Sequence, residues 1–162
     1  LPSEEPLCIA ADNWTKLGII AVYAAGNRGS DEQTIDIPAG CPGVIAVGAS
    51  DMNDEVPSFS GRGPMIWPNM TLEKPDITAP GYNVYSTTKG GGFGVQSGAS
   101  FATPHVTGLV ALMLQNNSLL TPQRAKETLI QTATDLYDKG YDVDSGFGRI
   151  NGYESIKSTL VQ

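Results

Sequence analysis

The residues best suited to chemistry lie in the run Ser97-Gly98-Ala99-Ser100-Phe101-Ala102-Thr103-Pro104-His105-Val106-Thr107-Gly108. The pattern predicts a helix beginning near Ser100, where backbone N–H groups lack intrahelical acceptors and the helix dipole favours negative charge. A hydroxyl placed there sits where an oxyanion would be stabilised. Gly98 lets another backbone approach closely, and Ala102 keeps the helix surface small beside the hydroxyl. Pro104 is expected in the first turn, where no donor is lost. On these grounds alone Ser100 reads better as an N-cap, the commoner role for such a serine. Asn27, after Gly26, reads on the residues alone as a turn asparagine. His105 is the only histidine. Five residues along the same helix, it lies more than a turn from Ser100 and points away from its front.

Buried strands interleaved with helices must position these groups. Residues 6–17 recur at helical spacing through Leu7, Ala10, Ala11, Trp14 and Leu17, and Gly18 ends that helix. Ile19–Ala25 is a continuous apolar run, as expected of a strand buried on both faces, and Val44–Ala49 is a second. Asn83–Thr87 is a short strand, and Gly90-Gly91-Gly92 opens a flexible loop. The helix from Ser100 to Asn116 is apolar almost all round, so it is expected to be central and buried. Thr121 and Pro122 start another helix, and a last one begins near Asn151 and runs to the chain's end. The order predicts an α/β fold of three layers with a mostly parallel central sheet.

The chain has 162 residues and a formal charge of −7, which argues against a nucleic-acid partner because phosphates need a basic face. No run of 18 apolar residues is present, so no membrane span is expected. Cys8 and Cys41 read first as buried free thiols, with a disulfide as the alternative. Asn13, Asn69 and Asn116 head N-x-S/T triplets, which matter only in a eukaryotic secretory route. The opening Leu1-Pro2-Ser3-Glu4-Glu5 lacks a signal-peptide pattern and looks like a start in mid-protein.

The Ser100 segment resembles the nucleophile signature of subtilisin-like serine proteases, Gly-Thr-Ser-Met-Ala-x-Pro-His-Val-x-Gly. Phe101 stands for methionine, and Ala99 for threonine is the clear departure. Ala24-Ala25-Gly26-Asn27, Pro42–Ala49, Phe59–Pro64, Lys74–Gly81 and Gly146–Asn151 resemble further segments of that family in its order. The resemblance implies that residues 1–162 are the C-terminal part of a subtilisin-like peptidase domain whose N-terminal half is missing. It implies peptide-bond hydrolysis through an acyl-enzyme on Ser100. The Asn27 amide and the Ser100 N–H would form the oxyanion hole, weakened modestly by the hydroxyl that Ala99 lacks. His105 would be structural and packed under its helix. The catalytic aspartate and histidine would come from Asp-x-Gly and His-Gly-Thr motifs upstream, leaving this chain alone inactive.

By the same resemblance Ala24, Ala25, Gly26 and Gly98 would bind substrate. Asp36 would lie near the pocket floor and favour a basic residue, with Arg28 at the rim opposing it; as plain loop charges both would do neither. The implied partners are a peptide or protein substrate and the upstream half of the domain, in a secreted setting. No cofactor is required. Carbonyls around Ala39, Cys41 and Val44, with Asp76, resemble a loop ion site for Ca²⁺ or Na⁺ in some relatives, although the insertion Met65–Glu73 weighs against it. The competing reading is a catalytically inactive relative acting as a binding or regulatory module. An unrelated ligand-binding α/β domain is disfavoured, since no phosphate-cradling loop precedes a helix.

Overall fold

In the computed structural model, which describes residues 1–160, the chain opens with helix α1 (Pro6–Lys16). Pro6 brings the fixed φ of a first helical position, and Glu5 caps the helix by accepting the Leu7 N–H. Gly18, at φ +84°, turns the chain out of it. Cys8 is bonded to Cys41 with their Cα atoms 5.1 Å apart. The free-thiol expectation therefore gives way to a crosslink that pins α1 to the loop before the second strand. Two cysteines 33 residues apart carry no spacing signal for pairing, and only the folded loop brings them together.

Strands β1 (Val22–Ala24) and β2 (Ile45–Ser50) are followed by a hairpin of β3 (Met65–Trp67) and β4 (Met70–Leu72), then by β5 (Ile77–Pro80). β1, β2 and β5 form a parallel sheet in the order β1-β2-β5, with Ala24 opposite Val47 and Val47 opposite Ile77. A second hairpin, β6 (Val84–Thr88) and β7 (Gly92–Gln96), precedes α2 (Ala99–Asn116), α3 (Pro122–Thr132) and α4 (Gly152–Ser158). The predicted Gly90–Gly92 loop is thus a tight hairpin turn. β7 escaped the sequence reading because two of its five residues are glycine.

Alternation along the strands divides the core. Val22, Ile45, Val47, Ala49, Ile77 and Ala79 face α2, where Ala102, Val106, Leu109, Val110 and Met113 meet them. Ala21, Tyr23, Ala25, Val44 and Ala46 face the other way, toward α1 and the loop residues Ile35 and Ala39. This is the expected three-layer arrangement.

Two expectations about burial need correction. β1 is half-buried rather than covered on both faces, and Ile19 is exposed, because β1 forms one edge of the sheet among the described residues. α2 likewise buries one side only: Ser100, Pro104, His105, Thr107 and Leu112 on its other side are exposed. Pro104 also falls inside the helix as its sixth residue, not in the first turn, so the Ser100 carbonyl loses its intrahelical donor. The last helices match closely. Thr121 accepts the Arg124 N–H and Asn151 accepts the Glu154 N–H at their N-termini. α4 stops at Ser158, and its expected extension to the chain's end falls partly on residues outside those described.

A buried charge cluster joins the strands to α3. The Asp76 carboxylate accepts the Ala46 N–H at 2.7 Å and lies 2.7 Å from Lys74 Nζ and 2.6 Å from Lys126 Nζ. Lys74 also donates to the Val44 carbonyl at 2.9 Å, and Lys126 donates to the same oxygen at 3.3 Å. Replacing Asp76 with Asn would leave two ammonium groups facing each other without their counter-charge. Asp76→Asn is expected to cost about 3–5 kcal/mol, read as a lower urea midpoint of the intact protein.

Burial lowers the Lys74 pKa from 10.5 to about 8, against the opposing pull of Asp76. Between those two pH values the unfolded chain binds more protons at this site than the folded one, so stability rises with pH across that window. Lys74→Met should abolish the rise, measured as urea unfolding free energy between pH 8 and 10.5.

Candidate active site

The end of β1 and the start of α2 meet at one hydrogen bond. The Ala99 N–H donates to Asn27 Oδ1 at 2.8 Å. The N-cap position of α2 is Gly98, which has φ +151° and no side chain to cap the helix, so Asn27 supplies the cap, 72 residues before Ala99. Ser100 is therefore not the N-cap. It is the second residue of the helix, exposed, while Gly98 and Ala99 beside it are buried.

This arrangement orients the Asn27 amide. A backbone N–H can pair only with the amide oxygen, so Nδ2 is turned outward with both its hydrogens free of partners among the described residues. The Ser100 N–H is free by helix geometry, being too early in α2 for an intrahelical acceptor. A Cβ placed on Gly98 would lie 3.5 Å from both Asn27 amide atoms, which puts that amide directly over the glycine. Two unpaired donors and a hydroxyl thus share the positive end of an 18-residue helix. Chemically, such a site can hold a substrate carbonyl as it gains negative charge under attack from Ser100.

Beside Ser100 runs a groove of about 460 Å³ lined by Val22, Tyr23, Ala24, Thr103, Pro104 and Thr107. It lies between the open edge of β1 and the exposed side of α2, and no imidazole or carboxylate lines it. His105 does not reach the hydroxyl: its Nδ1 donates to the Phe101 carbonyl of its own helix, 2.9 Å away. It is exposed rather than packed beneath the helix as the resemblance implied, because it projects from the uncovered side of α2.

Gly26, at φ +114°, carries the chain from β1 toward Asn27. A Cβ there would clash with the Asp36 carboxylate, so Asp36 rests against this glycine. Asp36 is held by its N–H donating to the Ala25 carbonyl at 2.8 Å, and it is paired with Arg28. The structure therefore brings Ala24, Ala25, Gly26, Asn27, Asp36 and Arg28 together around one turn, and ties that turn to Gly98 and Ser100. The two charges expected to oppose each other neutralise one another instead. Nothing in the sequence signalled that pair, since it depends on the loop between them folding back.

Asp144-Ser145-Gly146 has the Asp-x-Gly pattern, a match the sequence reading passed over. Asp142 holds it in a turn by accepting the N–H groups of Asp144 and Ser145, and the Asp144 carboxylate pairs with Arg62 at 2.8 Å. It takes no part in the site around Ser100. The Val44 carbonyl and Asp76, named for a cation, are held by Lys74 and Lys126, and an ion there would displace both ammonium groups. Among the described residues no group of three or more His, Cys, Asp or Glu is placed to bind a metal.

The subtilase family pattern matches residues 2–148. The chain belongs to the subtilase family. Serine protease AprX of Bacillus subtilis is 38% identical to it over 94% of the chain, which corresponds to 38% of that protein's length. Subtilisin DY of Bacillus licheniformis is 39% identical over 88% of the chain and 48% of its own length. The self-cleaved protease domain of PatA superposes with a TM-score of 0.79 at 30% identity, over 94% of this chain and 54% of that domain. This subtilase chain thus spans from just under two fifths to just over half the length of these relatives, and it has the subtilisin-like fold over that span. None of its described helices is long and apolar enough to cross a membrane.

Proposed function

We propose that this chain is the C-terminal part of the catalytic domain of a secreted serine endopeptidase, with Ser100 as its nucleophile. The observation that carries this reading is the Asn27 side chain capping the helix that bears Ser100, which leaves Nδ2 and the Ser100 N–H both free to donate. In the proposed reaction Ser100 Oγ forms a bond to the scissile carbonyl carbon as a base takes its proton. The oxyanion is held by the two donors, and the C–N bond then breaks as the amine receives the proton. Water releases the acyl group by the reverse path. The base and its orienting carboxylate are assigned to a histidine and an aspartate on an upstream segment. That segment would lie in the groove beside Ser100 and cover the open edge of β1.

Ala24, Ala25 and Gly26 are assigned to the wall that receives the residue before the scissile bond, with Asp36 at its floor and Gly98 beneath the substrate backbone. The alternative, a non-catalytic module, draws on Ala99, whose buried methyl group offers no hydroxyl toward the oxyanion. A fluorophosphonate probe separates the two: the intact protein should be labelled at Ser100 alone, whereas an inert module takes no label.

In the intact enzyme Asn27→Ala should lower kcat by about 10²–10³ with KM little changed; the size is inherited from a member of this same family, in which the corresponding amide was removed. An equal effect on KM would count against the oxyanion role.

The Arg28–Asp36 pair generates a specificity test. A basic substrate residue must compete with Arg28 for the carboxylate, so Arg28→Ala should raise kcat/KM for an arginine substrate over a phenylalanine one by roughly fivefold, the scale of an exposed ion pair. Asp36→Asn should remove that gain. Matched peptide anilides differing only at this residue provide the measurement.

A further inference from the structure

No residue of strand β3 lines the groove beside Ser100, yet β3 holds the turn that carries Asp36. The Trp67 indole N–H donates to the Gly40 carbonyl at 3.0 Å. The Gly40 N–H donates to the Asp36 carbonyl at 3.0 Å, and the Asp36 N–H donates to the Ala25 carbonyl at 2.8 Å. One line of hydrogen bonds therefore runs from Trp67 through Gly40 and Asp36 to the residue before Gly26. Both main-chain groups of Asp36 are tied, one to the end of β1 and the other to the residue that Trp67 holds.

The hold on Gly40 is close. A Cβ on this buried glycine would lie 2.9 Å from Met65 Sδ, so the Met65 side chain rests directly on it. Met65 and Trp67 sit on either side of Ile66 in β3, so alternation sends both toward the turn and Ile66, which is 51% exposed, the other way. The Trp67 ring also packs against the buried cluster of Cys8, Ala11, Ala21, Cys41 and Val44. The indole is thus anchored in the frame around the disulfide, and its N–H reaches the turn from a fixed body. What the turn carries gives this consequence. The Asp36 carboxylate rests against Gly26 and is shared with Arg28, so its reach into the pocket depends on where its backbone is held.

We infer that Trp67 is a positioning residue for substrate selection: by holding Gly40 it keeps the Asp36 carboxylate at the pocket floor and sets the preference for a basic residue before the scissile bond. The inference rests on the proposed peptidase reading and on Asp36 as the floor. Trp67 touches no substrate and acts only through the turn from Asp36 to Gly40.

The test uses the intact protein and matched arginine and phenylalanine anilides, read as the ratio of their kcat/KM values. That ratio cancels any difference in the amount of folded enzyme, so a residue that only stabilises the fold does not move it. Trp67→Phe keeps a ring in the cluster but removes the donor. It should lower the arginine-to-phenylalanine ratio by about fivefold, the scale of one hydrogen bond. In an Asp36→Asn background the same substitution should leave the ratio unchanged, because the group being positioned no longer carries charge. Ile66→Ser, on the opposite face of β3, should also leave it unchanged. Gly40→Ala crowds Met65 and displaces the same turn without altering the indole. It should lower the ratio in the same direction, and it supplies the answer if Trp67→Phe does not fold.

An unchanged ratio in Trp67→Phe, or in Gly40→Ala where that variant stands in for it, would overturn the inference. So would an equal fall in the Asp36→Asn background, or a fall of the same size in Ile66→Ser. Wild-type anilide turnover and Ser100 labelling report on the peptidase reading, and Asp36→Asn alone reports on the floor. Failure of the positioning role therefore leaves both of those readings standing and recognisable.

Discussion

The hydrogen bond from the Ala99 N–H to Asn27 Oδ1 is the contact on which the site's geometry depends. It caps a helix that has no capping side chain of its own, fixes how far Ser100 stands from the end of β1, and determines which way the Asn27 amide faces. An aspartate at residue 27 could accept the same bond, yet it would present a second oxygen outward where the asparagine presents a donor. A serine or threonine could also cap and keep its O–H to donate, but from the same atom that accepts and on a shorter side chain. Asparagine alone among the usual capping residues satisfies the helix and still aims N–H groups into the open.

That contact needs a rigid frame behind it. β2, fully buried, aligns β1 and β5, and it receives support on both sides from different chemistry. On one side α2 packs aliphatic side chains against Ile45, Val47 and Ala49. Near the opposite face, Asp76 accepts the Ala46 N–H while holding two lysines. A buried carboxylate between two ammonium groups is a poor source of net stability, but it restricts β2, β5 and α3 to one mutual arrangement. The disulfide from Cys8 to Cys41 restrains the remaining side, where α1 meets the loop that leads into β2.

Much of this could be read from the residues. Helix starts at Pro6, Pro122 and Gly152 were legible because capping and proline placement are local, and β2 was legible because a strand covered on both faces is continuously apolar. The Ser100 segment was legible as a family pattern, though local physics had favoured Ser100 as a cap. It was wrong for a non-local reason: the capping group came from Asn27, which no window around Ser100 contains. The same limit hid the Cys8–Cys41 bond, the Arg28–Asp36 pair and the lysine partners of Asp76, all of which require distant loops to close. Burial of β1 and α2 was overestimated because apolar sequence reports what a surface can pack against, while exposure reports what this chain places there.

The separation of 72 residues between Asn27 and Ala99 also bears on the order of events as the chain folds. Local helices such as α1 and α3 can form early, since their contacts close short loops. The capped start of α2 requires the chain to bring two remote segments together through parallel strand pairing, which is slow to nucleate. The free amide and the exposed serine therefore acquire their mutual placement only after most of the frame exists. A chain organised this way passes through its loosest and most vulnerable states before its own donor pair is assembled.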